Sequence, residues 1–225
     1  MMTHGDSSQD IDIDAVMSIL SKEVPKYDVP VVDLIKIQTN DPFRILLATI
    51  LSSRTKDSTT AQAAARLFEK VKTFKDLETI SDDELEKAIF PVGFYKTKVK
   101  NLKKLPTVID EEFDGRIPKT VDELVKLPGV GRKTANLVSA VAFEEDAICV
   151  DTHVHRITNR LGYVDTKTPL ETEMALREKL PREHWQKINN LLVAFGQNLC
   201  TPISPYCSKC PVRQHCKRTG VTNSR

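Results

Sequence analysis

Glycine is scarce in this chain of 225 residues, with 8 in all, and aromatics make up only 6% with a single tryptophan. Few glycines and few alternating apolar–polar runs argue against hairpin-rich sheet architectures, whose tight turns draw on glycine. No apolar run approaches the roughly 18 residues of a membrane span, and the opening MMTHGDSSQD has neither the basic nor the apolar region of a signal peptide. These absences predict an intracellular protein, of cytoplasm or nucleoid if the source is prokaryotic, with no membrane partner. Cysteine is limited to five residues, and four of them crowd between positions 200 and 216, too close together to staple a whole domain with disulfides. Neither sign of charge dominates, since the net is +2, but residues 1–35 carry seven acids against Lys22 and Lys26, a balance of −5 that leaves +7 on the rest. A basic body with an acidic leader suits a polyanionic partner, although solvated surface charge is the commoner cause of such an imbalance.

What the chain does contain is 40% hydrophobic residues, 28% charged ones and many segments of 3.6-residue period, which predict an all-α protein of one or two lobes. A helix from about Ile11 has Ile13, Val16, Met17 and Leu20 on one face and ends before the loop with Pro25 and Pro30; residues before it are polar and expected to be disordered. Asp41-Pro42 starts a helix that is apolar nearly all round from Phe43 to Leu51 and is therefore expected to be buried. Asp57 is the expected cap of the next, with Ala61, Ala64, Leu67, Phe68 and Val71 inside. Ser81 and Glu84 open a short helix that Pro91-Val92-Gly93 stops, and a further helix carries Lys96, Lys98, Lys100, Lys103 and Lys104 opposite Val99, Leu102 and Ile109. Pro106 is expected to kink or break it, and the lysine run reads as a solvated face or a phosphate track.

The stretch LPGVGRKTANLVSAVAFEEDAICVD, from Leu127 to Asp151, organises the rest. Thr120 with Glu123 caps a helix that buries Leu124 and Leu127, Gly129 and Gly131 break it, and a second helix follows with Leu137, Val138 and Val141 inward. Gly129, Val130 and Gly131 then form a turn facing a helix N-terminus, where a phosphate can approach the backbone and Arg132 and Lys133 stand beside it. An ordinary packing hairpin accounts for PGVG alone equally well. Asp151 reads as the N-cap of a helix with Val154, Ile157 and Leu161 inward and Gly162 as its stop. His153 and His155, two apart, do not share a helix face and make a poor metal pair. Thr168 to Glu171 starts the next helix, and Trp185, Ile188, Leu191, Leu192 and Phe195 read as the core of the last.

LPGVGRKTA followed by VDTH resembles the helix-hairpin-helix DNA glycosylases, and within them the endonuclease III group, over about Asp41 to Cys216. The resemblance implies that Lys133 is the nucleophile and Asp151 its essential carboxylate. A lysine at a helix N-terminus, partly desolvated, has its pKa lowered and attacks carbon as the free amine. LSSRTKD resembles the loop that enters DNA beside the flipped-out base, but Arg54 stands where glutamine is usual, which exchanges an amide for donors only. Phe94 matches the wedge that fills the gap left by an extruded base, with a core phenylalanine as the plain alternative. Cys200, Cys207, Cys210 and Cys216 have the ligand spacing of either a zinc site or an iron–sulfur site; the resemblance implies one 4Fe-4S cluster, with Lys209, Arg213, Lys217 and Arg218 facing phosphates. Cys149, in the apolar AICV run, reads as a buried free thiol.

The architecture so implied is two helical lobes: a helical barrel over residues 36–145 with the hairpin, and a cluster lobe over 146–225 joined by residues 1–35, with DNA across the cleft. The expected activity is that of a monomeric bifunctional glycosylase and AP lyase acting on double-stranded DNA that holds an oxidised pyrimidine or an abasic site. A mismatch thymine or uracil glycosylase, an adenine glycosylase and a non-catalytic DNA-binding module are the alternatives, and retention of Lys133 with Asp151 weighs against each.

Overall fold

The computed structural model describes residues 10–27 and 39–225, and every regular element among them is helical. The expectations for residues 1–9 and for the loop at Pro30 lie outside the described residues. The chain divides into two compact units, Val29–Cys149 and, from both ends of the sequence, Met1–Asp28 with Val150–Arg225. No helix among the described residues is long and apolar enough to cross a membrane.

In the unit Val29–Cys149 the central element is α2, Pro42–Ser52, for which Asp41 caps the Phe43 N–H and proline occupies the first turn. Ile45, Leu46, Leu47, Ile50 and Leu51 are at most 1% exposed, so α2 is covered on all sides, and each such side chain stabilises the fold by about 1.5–3 kcal/mol. Around it pack α3 (Asp57–Lys70), α6 (Tyr95–Phe113) and α8 (Arg132–Phe143), with α4 (Phe74–Thr79), α5 (Asp82–Ile89) and α7 (Val121–Leu124) completing the shell. Two details differ from the sequence reading of α3. Lys56 is its N-cap and Asp57 its first residue, and Ala61 is exposed while Ala63 is buried, because the helix lies on α2 one position further round.

α6 runs unbroken through Pro106. The missing N–H removes one backbone bond, but Leu102, Leu105, Pro106 and Ile109 are all buried, and their packing holds the helix together across it. Nor is its lysine run uniformly solvated. Lys103 Nζ donates to the carbonyls of Leu77, Glu78 and Ile80 at 2.7–2.9 Å and so closes the C-terminus of α4, while Lys98 is buried.

In the other unit, α1 (Ile13–Glu23) buries Ile13, Val16, Met17 and Leu20 and packs on α11 (Trp185–Asn198). α11 also packs on α9 (Thr152–Leu161), and α10 (Pro169–Lys179) packs on α9 as well. Gly162, at φ +77°, ends α9, and the Lys217 side chain lies where a Cβ would stand. Short 3₁₀ turns at Cys207–Lys209 and Arg213–His215 shape the C-terminal loop.

Candidate functional site

The turn between α7 and α8 is built by local rules. Thr120 accepts the Glu123 N–H and donates to its carboxylate, and Val130 N donates to Leu127 O at 3.1 Å. Leu127 and Val130 are 2% and 6% exposed, so the side chain of Val130 anchors the turn and only its backbone belongs to the rim. Gly129 has φ +79° and a Cβ there would meet the Asn101 side chain at 2.8 Å, so glycine is needed both for the conformation and for the close approach. Gly131 is the N-cap of α8, brings no side-chain cap, and a Cβ on it would meet nothing within 4 Å. The start of α8 is therefore open to an approaching anion, with the helix dipole behind it.

Arg132 and Lys133 lie exposed on that first turn. Lys133 stands one residue into a helix that starts at the surface, while Thr134 and Ala135, next in sequence, enter the core. Asp57 is a neighbour that the sequence did not single out. Partial burial pushes its carboxyl above the ordinary aspartate value, and the Lys133 charge pulls it back down. The buried thiol of Cys149 points at the Lys133 carbonyl, at 3.7 Å.

In the other unit Asp151 caps α9, its Oδ1 accepting the N–H groups of His153 and Val154 at 2.8 and 2.9 Å. Arg156, one turn on, reaches the carbonyls of Gly196 and Cys200, and burial depresses its pKa. The two histidines go separate ways, His153 to Arg156 and His155 to Thr172.

Arg54 and Phe94, forty residues apart in sequence, are brought together. The Arg54 guanidinium carbon lies 5.2 Å from the Phe94 ring centroid, and Phe94 is 63% exposed. Both are left-handed, at φ +53° and +56°, a conformation that costs about 1–2 kcal/mol for a residue with a Cβ. A Cβ on Gly93 would stand 2.3 Å from the Arg54 carbonyl oxygen, so that glycine permits the contact of the two loops. Sequence reasoning missed Lys98, which joins them. It is 6% exposed, and its ammonium donates to Leu51 O and Ser53 O at 2.7 Å and to Thr55 Oγ1 at 3.2 Å. The signal was available, since position 98 falls with 102, 105 and 109 on the apolar face of α6.

Cys200, Cys207, Cys210 and Cys216 line a single cavity whose other walls include Ile157, Leu161, Phe195 and Val212. Burial first, and neighbouring Cys216, Cys200 and Cys207 after it, push the Cys210 thiol up to about 11; burial likewise raises Cys216, with Cys200 and Cys207 adding to it. Such a set of converging thiols is stabilised as thiolates only around a cationic centre. Zinc held tetrahedrally at about 2.3 Å sets its sulfurs about 3.8 Å apart. Four thiols on one cavity are a ligand set that a structural zinc and an iron–sulfur cluster both take. Arg160 donates to Cys200 Sγ at 3.5 Å and to the carbonyls of Thr201 and Pro202, tying the loop to α9. Lys209, Arg213, Lys217 and Arg218 are exposed around it.

Residues 47–182 match the family described as HhH-GPD superfamily base excision DNA repair protein. Over 177 residues the chain is 45% identical to Endonuclease III of Thermotoga maritima, covering 79% of this chain and 83% of that relative. The structure of a non-covalent Endonuclease III–DNA complex matches with a TM-score of 0.81 at 36% identity, over 92% of this chain and 94% of that one. A thermostable thymine-DNA glycosylase matches with a TM-score of 0.78 at 26% identity, over 91% and 95% of the two chains.

Proposed function

The chain belongs to the endonuclease III branch of the HhH-GPD superfamily of base excision repair proteins, and from that premise we propose that it removes oxidised pyrimidines from double-stranded DNA and cleaves 3′ to the abasic site. It is a bifunctional DNA glycosylase and AP lyase, acting as a monomer. The observation that carries this reading is Lys133, a primary amine exposed in the first turn of α8 behind a glycine N-cap that leaves room for a sugar-phosphate backbone.

In this mechanism Lys133 Nζ bonds to the sugar C1′ as the bond from C1′ to the base breaks. Ring opening gives a protonated Schiff base, which acidifies the C2′ hydrogen; loss of that proton expels the 3′ phosphate. The attacking amine must be neutral. Because Lys133 is exposed, its desolvation comes from the DNA that covers it. Asp151, held by two backbone donors, accepts the lysine proton or stabilises the cationic sugar. Gly129, Val130, Gly131 and Arg132 contribute backbone and charge to the phosphates, and Arg54 with Phe94 fills the space left by the extruded base.

Cys200, Cys207, Cys210 and Cys216 fit one 4Fe-4S cluster by donor set and by the single, largely apolar cavity they line together. The four cysteines would hold it, and through it the C-terminal loop would be cross-linked; hydrolysis and elimination require no electron transfer from it.

The test is a panel of duplexes, each with one oxidised pyrimidine, one uracil, one thymine opposite guanine, or one abasic site. Oxidised pyrimidines should be released with strand cleavage, and abasic sites cleaved. Release of mismatched thymine without strand cleavage as the dominant activity would place the protein with the mismatch enzymes instead.

A further inference from the structure

We infer that Lys98 is the positioning residue through which the base opposite the lesion is read: its ammonium clamps the α2–α3 loop against the α5–α6 loop and so holds Arg54 over Phe94. The inference rests on the proposed function, in which that pair enters the gap in the DNA.

Lys98 itself cannot touch DNA, being 6% exposed. Its three acceptors, Leu51 O in the last turn of α2 and Ser53 O and Thr55 Oγ1 in the loop after it, bracket Arg54 in sequence. Thr55 Oγ1 also accepts the Gly93 N–H at 3.0 Å, so one hydroxyl links the ammonium to the residue that precedes Phe94. Phe94 O in turn accepts the Lys98 N–H at 3.1 Å, which fixes the start of α6 to the same point. Gly93 lets the Arg54 carbonyl approach to where a Cβ would collide. Each contact by itself is ordinary. Together they form a closed loop of contacts around two left-handed residues, a backbone state that persists only where the surroundings over-determine it.

A neutral side chain cannot replace the clamp, because two main-chain carbonyls and a hydroxyl converge on one donor-rich centre. Burial pushes Lys98 down to about 8, which still leaves the amine largely protonated at neutral pH. The position is therefore occupied by a charged group on an otherwise apolar helix face, a costly choice for packing alone.

The experiment compares single-turnover cleavage of one oxidised pyrimidine opposite each of the four bases, for wild type, Arg54→Gln, Lys98→Met, and the double variant. If Lys98 acts through Arg54, Lys98→Met shifts the opposite-base ratio by about tenfold, in the same direction as Arg54→Gln, and the double variant shifts it no further. Thr55→Val, milder because the ammonium keeps both carbonyls, should shift it part of the way and keeps the test valid if Lys98→Met folds poorly. Amide hydrogen exchange over residues 52–55 and 91–95, against the rest of the unit, supplies a readout that needs no DNA. It should speed about tenfold in Lys98→Met and less in Thr55→Val.

An unchanged base ratio in Lys98→Met and Thr55→Val beside an altered one in Arg54→Gln would overturn the inference and leave the proposed function standing. Independent, additive shifts would overturn it as well. A wild type that cleaves none of these duplexes removes both the proposed function and the reading role.

Discussion

At Asp151 a single carboxylate oxygen serves two backbone N–H groups, a duty that asparagine performs nearly as well. Charge is what the substitution removes. Asp151→Asn is expected to slow single-turnover cleavage by about 100-fold or more while thermal unfolding stays within about 1 kcal/mol of wild type, since the charge matters most in the transition state. Turnover equal to wild type would reduce Asp151 to a helix cap. The places of Asp151 and Lys133 at helix starts are legible in the sequence because they follow from local turns, glycine before one helix and an N-cap before the other, while the roles proposed for them come from the family resemblance. Lys98 and Asp57 are not legible in that way. Whether a lysine is solvated or clamped depends on carbonyls more than forty residues away, and the surroundings of Asp57 include the charge of Lys133 on another helix.

Among elements, the helices whose caps lie next to their apolar faces read correctly, as α2, α7, α9 and α10 do. α6 shows where local rules give way. Proline inside a helix costs about 3 kcal/mol, yet burial of the flanking leucines and of Ile109 outweighs the lost bond, and that packing comes from other parts of the unit. The cysteine loop is the opposite case, since it has only short 3₁₀ turns and few buried side chains of its own. Its order then depends on what the four sulfurs hold. The purified protein should be yellow-brown, with broad visible absorption and about four irons per chain, and Cys210→Ala should lose the colour together with protease resistance of residues 200–216. A colourless protein with one zinc per chain would contradict the proposed centre.

For the molecule as a whole, scarce glycine and a pervasive 3.6-residue period were enough to give an all-helical fold, because these signals are summed over the chain and tolerate local errors. The neighbourhood of Arg54 and Phe94, and the gathering of four cysteines round one apolar cavity, depend on tertiary packing that no window of sequence contains. Lys133, the proposed nucleophile, is nonetheless placed by local sequence, and a Schiff base formed on it can be captured. Borohydride added during reaction with duplex DNA bearing one oxidised pyrimidine should produce a covalent complex whose modified peptide maps to Lys133, and Lys133→Gln should lose both trapping and strand cleavage while still binding the duplex. Trapping that persists in Lys133→Gln, or that maps to another amine, would contradict the mechanism.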